Sequence, residues 1–333
     1  MGRRRGETTV ASIARLAGVS APTVSKVLNG RPGVASQTRR RVEEILREQG
    51  YRRPDAIAPT PMLEVAFREL ESHMAIEIMR GVERVARPRE LAVCFSEMQG
   101  RDTKWVDRVL NRRPVGVVAV YTDAMKVEHD RLAASGIPLV ALDPTGEPLH
   151  DVPSVGAANW SGGLAASRHL LELGHRRIAM VNGPLRFLAA RARLDGFRAA
   201  MDEAGVPVDE ELVRHGLFSY VEGVRHGRDL FALDRPPTAV FCGDDLLALG
   251  VYEAAREAGR RVPEDLSVVG FDDLEFARWS GPALTTVRQP LVDMGMSAAE
   301  LVLDLATGNE PRHRRVELPT SLVVRASTAR PAV

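Results

Sequence analysis

The stretch Val10–Asn29, VASIARLAGVSAPTVSKVLN, permits very few local folds, and the rest of the chain has to be arranged around it. Val10, Ile13, Ala14, Leu16 and Ala17 recur at helical spacing. Gly18 tolerates the positive φ at which a helix stops and turns, and Val19 fills the corner behind it. Ser20 is a good N-cap, and Pro22 suits a first helical turn because the amide it lacks has no intrahelical partner there. A second helix then turns Val24, Val27 and Leu28 inward and Thr23, Ser25, Lys26 and Asn29 outward. Two short helices across a tight glycine turn predict a helix-turn-helix, the unit whose second helix enters the DNA major groove. An ordinary helical hairpin in a core is the alternative.

Charge favours DNA. Residues 1–55 carry twelve Lys/Arg against five Asp/Glu, a net of +7, while the whole chain sums to +1 and the remainder therefore to −6. A phosphate-binding head on a neutral-to-acidic body has this asymmetry. With 42 Arg and 3 Lys the chain is arginine-rich throughout, so single arginines say less than the imbalance does. Residues 1–8 read as a disordered basic arm. After the Gly30–Gly33 loop a third helix is expected from about Ser36 to Gln49, with Val42, Ile45 and Leu46 inward, ending at Gly50. A three-helix head of this size is too small to be very stable alone.

At 333 residues and 44% hydrophobic content the chain is long enough for two or three compact units. No apolar run approaches a membrane span, and MGRRRGETT lacks the apolar core of a secretory signal. Cys94 and Cys242 fall in apolar strands and read as small buried hydrophobes rather than a disulfide. The expected compartment is the cytoplasm.

From Leu63 onward short apolar runs alternate with amphipathic helices. Strands are expected at Leu63–Phe67, Leu91–Ser96, Val115–Tyr121, Ile137–Asp143, Ile178–Asn182, Val213–Phe218, Ala239–Gly243 and Val268–Phe271. Helices are expected near Ala75–Ala86, Thr103–Asn111, Met125–Ala134, Ser161–Leu173, Ala189–Ala204, Val221–Leu233, Leu246–Ala258 and Leu291–Ala306. This βαβ alternation calls for parallel sheets covered on both faces, and the number of elements favours two sheets over one.

Ligands of open parallel sheets bind beyond the carboxyl ends of the strands. The residues at those exits are Phe67 and Arg68, Tyr121, Asp143, Asn182, Asp244 and Asp272. Carboxylates accept paired hydroxyl hydrogen bonds, and aromatics such as Trp160 or Phe218 can lie against the apolar face of a sugar. A polyol is the ligand this set suits. Asp244 near Asp272 could instead attract a cation or a basic ligand, and Trp160, beside Gly162 and Gly163, reads equally as a packing residue. Asp245 is expected to cap the following helix, Asp273 to cap a turn, and His175 to meet the terminal carbonyls of the helix before it.

The run IARLAGVSAPTVSKVLNGRPGVASQTRRRVEEILREQGY resembles the N-terminal domain of the lactose-repressor (LacI/GalR) family almost position for position. LELGHRRIAMVNGP, RARLDGF, PEDLSVVGFDD and LTTVRQP look like the same family's regulatory domain, so the likeness covers nearly the whole chain. It implies a small all-α helix-turn-helix head (1–50), a linker (51–61) and an α/β effector-binding body (62–333). The body would be two Rossmann-like parallel-sheet subdomains of the type I periplasmic-binding-protein kind. The first would hold about 62–158 and 291–320, the second about 159–290 and 321–333. The chain would cross between them near residues 158, 290 and 320.

The same likeness assigns residues. Ala21, Pro22 and Lys26 fall on base-reading positions. Only Lys26 has a polar side chain for a base edge, most naturally guanine, and Ala21 can touch a thymine methyl. Ser20, Thr23, Ser25, Asn29 and Thr38 suit phosphates, which position without specifying, and Arg52 of the linker joins them as a DNA contact. Arg193, Asp244, Asp272 and Gln289 match effector-contact positions, with Phe218 and Trp160 beside others and Trp279 within reach of the cleft. In the linker YRRPDAIAPTP this chain departs from the family. Arg53 is an extra residue, Asp55 replaces asparagine, and Pro59 and Pro61 stand where arginine and leucine belong. Prolines at that spacing disfavour a hinge helix and favour an extended connector, with Ile57 as a partial wedge.

Enzymatic signatures are missing. There is no G-x-G-x-x-G, no phosphate-loop motif, no G-x-S-x-G and no H-E-x-x-H among the eight histidines. The aspartates lack an accompanying nucleophile, and no cofactor or metal is called for. The expectation is a cytoplasmic repressor, a homodimer or larger assembly without membrane contact. The helix carrying Ile76, Met79 and Val82 would supply dimer contacts. Two heads would read a pseudo-palindromic double-stranded operator with half-sites about 10 bp apart, under control of a mono- or oligosaccharide. A purine or amine corepressor on the same architecture, or a pure solute-binding protein, are the competing readings.

Overall fold

A computed structural model describes residues 9–28, 33–49, 60–68, 74–98, 104–121, 126–146, 152–309 and 311–332. The basic arm, Asn29 and the loop after it, and the linker through Pro59, with Arg52 and Ile57, lie outside the described residues.

Three helices form the head: α1 (Val10–Ala17), α2 (Ala21–Leu28) and α3 (Ser36–Glu48). Thr9 and Ser12 cap α1 reciprocally, and Gly18 ends it at φ +63°. Ile13, Ala14, Ala17, Val24, Val27 and Val42 make the small core, with Val19, Ile45 and Leu46 packed on it. Leu16 is 52% exposed rather than part of that core. One helical turn separates it from Ile13, but the partner helices lie on the other side.

The chain resumes in β1 (Thr60–Phe67), α4 (Ala75–Ala86), β2 (Ala92–Glu97), α5 (Lys104–Arg112), β3 (Pro114–Val120), α6 (Lys126–Ala134), β4 (Leu139–Leu142) and β5 (Ser154–Ala157). Then come α7 (Asn159–Glu172), β6 (Ile178–Asn182), α8 (Leu188–Glu203), β7 (Val213–His215), α9 (Tyr220–Phe231), β8 (Ala239–Cys242), α10 (Asp245–Glu257), β9 (Ser267–Asp272), α11 (Glu275–Trp279), β10 (Thr285–Arg288), α12 (Leu291–Thr307), β11 (Arg315–Leu318) and β12 (Ser321–Val323). One sheet runs β11-β5-β4-β3-β1-β2, all parallel; the other runs β12-β10-β9-β8-β6-β7, with only β12 antiparallel. The chain passes from one sheet to the other after β5, back after β10, and over again between β11 and β12. Strands such as VVAV in β3 and AVFC in β8 are apolar on both faces because helices cover both.

β1 starts three residues earlier than its apolar run. Pro61 lies in the interval Thr60–Leu63 where the pairing with β3 shifts register, a place where a missing N–H costs no ladder bond. Thr60 is held by its N–H on Arg113 O (2.8 Å) and its Oγ1 on Arg112 O (2.7 Å). Four short strands (β5, β10, β11 and β12) and α11 were not anticipated. On α4, Ile76 is exposed, but Val82 is fully buried and Met79 packs on the core, because that face meets α12. The dimer contact expected of all three residues is therefore closed to Val82, and remains open to Ile76 and to the part-exposed Met79.

Candidate functional site

The carboxyl ends of both sheets face one cleft at the crossings, and the backbone there is unusual. Tyr121, Asp143 and Asp272 follow or end β3, β4 and β9 at φ +56°, +46° and +111°, and Asp273 adds +56°. Positive φ in such residues costs roughly 1–3 kcal/mol each and persists where the surroundings enforce it.

Arg193 is central. It lies on α8, which reaches it by very close packing against α7: a Cβ at Gly196 would run into Trp160 O, and one at Gly163 into Arg193 O. Only 3% exposed, Arg193 donates from Nε to Asn159 Oδ1 (2.8 Å) and from Nη1 to Gly243 O, with Nη2 3.7 Å from Asp272 Oδ1. Its Cζ stands 3.8 Å from the Phe271 ring centroid and 5.8 Å from that of Phe218. A guanidinium stacked and bonded in this way is fixed before any ligand arrives.

Asp272 also accepts Gln289 Nε2 at 2.6 Å. Gln289 Nε2 approaches Met74 Sδ (3.8 Å), and Tyr121 OH donates to the same sulfur (3.3 Å). Across the opening Phe187 and Phe218 stack at 6.3 Å, and Arg68 Cζ lies 6.0 Å from the Phe187 centroid. The lips meet where Leu188 N–H donates to Thr145 O (2.9 Å). Arg68, Tyr121, Phe218, Arg193, Asp272 and Gln289 are thus linked through one run of contacts, and Asp143 and Asp244 join it through the field of Arg193.

Of the other expected residues, Phe67 stands apart, fully buried in the core of the first sheet, and Trp160 is 46% exposed at the start of α7. Trp279 is 71% exposed on α11. Met74, Phe187 and Asn159 are contributors that sequence reasoning missed; none ends a strand and none falls on a position that the family likeness assigned.

Burial drives the carboxylates toward their neutral forms. Asp244 is pushed up to about 6 by desolvation, against the opposing pull of Leu247 N–H and Arg193. Asp272 is raised by burial and then by the charges of Asp244 and Asp143, against the pull of Arg193, and Asp245 by burial and then by the charges of Asp272 and Asp244. Asp143 moves the same way, again through burial. The helix cap is Asp244, whose Oδ1 accepts Leu247 N–H at 2.7 Å. Asp245, one residue later, is fully buried and accepts from Leu274 N–H (2.8 Å) and Thr286 Oγ1 (2.5 Å) instead. Gln289 Oε1 and Asn182 Oδ1 are buried acceptors without a donor among the described residues.

His175, 1% exposed, bonds Thr238 Oγ1 (2.8 Å), Ser267 Oγ (3.0 Å) and Ala329 O (2.9 Å), not the carbonyls of the preceding helix. The C-terminal segment running beside β9 takes it. Asp273 binds arginines rather than capping a turn.

In the head, Ser20, Ala21, Pro22, Ser25 and Lys26 are exposed around α2, and Thr23 and Thr38 are partly so. Ser20 Oγ accepts Thr23 N–H (3.3 Å) and pairs with Thr23 Oγ1 (2.8 Å), the local capping arrangement. Among the described residues no helix is long and apolar enough to cross a membrane, and no His/Cys/Asp/Glu group is placed to hold a metal.

A helix-turn-helix head followed by two hinged parallel sheets around a polar cleft defines a DNA-binding regulator with a small-molecule-binding body. Comparisons agree. Residues 9–54 match the lacI family of bacterial regulatory proteins, and residues 167–328 match a periplasmic binding protein-like domain. The chain is 34% identical over 336 residues to the HTH-type transcriptional regulator MalR of Streptomyces coelicolor, covering 97% of each. It is 35% identical to CelR of Thermobifida fusca, over 97% of this chain and 99% of that one. A solved complex of transcriptional regulator CelR with cellobiose superposes with a TM-score of 0.73 at 34% identity, covering 96% and 99% of the two chains. The lac repressor dimer bound to operator and an anti-inducer gives 0.72 at 29%, covering 97% and 99%. The protein belongs to the lacI family of bacterial transcriptional regulators.

Proposed function

We propose that the chain is a cytoplasmic, homodimeric repressor of carbohydrate-utilisation genes, without catalytic activity, whose operator affinity is set by a small saccharide in the cleft. The carrying observation is the convergence of Arg193, Asp272 and Gln289 at the crossings between the two sheets. Fixed donors, carboxylate acceptors and the orphan acceptors Gln289 Oε1 and Asn182 Oδ1 suit a ligand rich in hydroxyls. Phe187 and Phe218 supply the flat apolar wall a pyranose face requires. The relative whose structure holds cellobiose supports the same ligand class. On DNA, Lys26 is the base reader and Ser20, Thr23, Ser25 and Thr38 are the phosphate contacts, with Asn29 and Arg52 proposed beside them from the family pattern. Ala21 and Pro22 shape the contact without side-chain hydrogen bonds.

A corepressor reading has one supporting observation. Relatives 31% identical over 327 residues are named HTH-type transcriptional repressor PurR, from Vibrio cholerae. Calorimetry of the intact chain against cellobiose, maltose, other mono- and disaccharides and free nucleobases separates the two. Heat from a saccharide supports the proposal, and heat from a nucleobase alone replaces it.

A further inference from the structure

Asp272, Asp273 and Leu274 are consecutive and reach three different parts of the molecule. Asp272 takes Gln289 Nε2 in the cleft (2.6 Å). Asp273, its side chain 1% exposed, takes Arg288 Nε (2.7 Å) and Arg325 Nη2, with Arg278 Nη2 4.0 Å away. Leu274 packs into the core of the other sheet with Leu291 and Met294, and its N–H is held by Asp245.

The two arginines have telling positions. Arg288 ends β10, one residue before Gln289, where the chain leaves for the first sheet. Arg325 lies just past β12, where the chain has returned for the last time. Its N–H donates to Thr285 Oγ1 (2.9 Å) and its Nη1 to Leu284 O (2.8 Å). A single buried carboxylate therefore joins the second and third crossings, next in sequence to the carboxylate that faces the ligand. Asp272 and Asp273 both hold positive φ, so this turn keeps its shape only while its side chains are anchored.

We propose that Asp273 is the positioning residue that turns occupancy of the cleft into a change of hinge angle. A ligand that engages Asp272 and Gln289 displaces the turn. Because Asp273 is clamped to Arg288 and Arg325, the two crossings move with it, and Leu274 carries the same displacement into the first subdomain. Without the clamp the turn flexes locally and the displacement is absorbed. The inference rests on the cleft being the effector site.

The test uses intact Asp273→Asn, which keeps the size and tolerates positive φ but removes the charge. Hydrogen exchange of the ligand-free protein comes first. The amides of Gln289 and Arg325 should exchange about tenfold faster, a local opening within the range known for native proteins, while Leu247, held by Asp244, does not change. Unchanged rates at both sites overturn the clamp. Calorimetry with cellobiose, or whichever saccharide of the panel binds the wild type, should give a Kd within about threefold of wild type. The saccharide-dependent change in operator affinity, on the order of 5–150-fold for a typical allosteric coupling, should fall below about twofold. A full response in Asp273→Asn refutes the proposal. A wild type that itself shows no response refutes the effector reading instead, and the exchange rates still decide the clamp.

Discussion

The guanidinium of Arg193 stands 3.7 Å from the carboxylate of Asp272, and both side chains are about 95% or more removed from solvent. α8 and β9 come together at this pair, so its loss is felt by the cleft before anything else. Arg193→Ala leaves Asp272 as a buried carboxylate without its cation, a change that costs roughly 3–5 kcal/mol when a buried partner is removed. Saccharide heats in calorimetry should vanish, while operator binding of the ligand-free protein persists at low temperature. Unchanged saccharide affinity would remove the assigned pocket.

The pH dependence of stability should trace Asp244. Its folded value is pushed up to about 6 by burial from an ordinary 3.8, so the folded chain holds the proton more tightly than the unfolded one. Stability from this group is therefore full below about pH 4 and is lost as the pH rises to about 6, by roughly 3 kcal/mol. Asp244→Asn keeps a good N-cap for Leu247 and cannot ionise. Urea denaturation should find the variant close to wild type at pH 4 and more stable at pH 8. Equal stability at both values would show that Asp244 is ionised at no cost.

Gly196 allows α7 and α8 to approach until their backbones touch. Gly196→Ala forces the helices apart at the turn that carries Arg193, and overpacking of this kind costs about 1–3 kcal/mol. A lowered Tm with weakened saccharide binding is expected, whereas Gly205→Ala, at φ +64° with open space, should lower Tm without touching the cleft.

The exposed sides of α2 and α3 should separate specificity from affinity. Lys26→Ala should flatten the preference at one base pair by about 1–3 kcal/mol. Thr38→Ala, which removes a proposed phosphate contact, should weaken every duplex alike. Anisotropy titrations on single-base operator variants distinguish these outcomes.

Much of this architecture was legible because long amphipathic periods survive any context. The run Ala75–Ala86 forms α4 over those same residues, and Ile178–Asn182 forms β6. β5, β10, β11 and β12 were not visible, since three or four residues such as Thr285–Arg288 or Arg315–Leu318 carry too little alternation to stand out. Those strands lie at the crossings, so the hinge was the least readable part of the body. In the cleft, strand ends led to Asp143, Asp244 and Asp272, but also to Phe67, whose side chain turns into the core. Met74 and Phe187 reach the site from loops that only tertiary structure brings there. Asp244 and Asp245 exchanged roles because two adjacent aspartates before a helix are equally good caps on paper. Only burial and the donors Leu274 N–H and Thr286 Oγ1 assign the second one inward.

The central claim is that occupancy of the cleft is read by the head. Its most direct measurement is the fluorescence anisotropy of a labelled palindromic duplex, selected by the intact chain from a random pool, titrated with and without a saturating saccharide from the calorimetric panel. The account predicts that the saccharide changes the operator Kd by about fivefold or more, the lower end of typical allosteric coupling. Identical titrations in its presence and absence would contradict it.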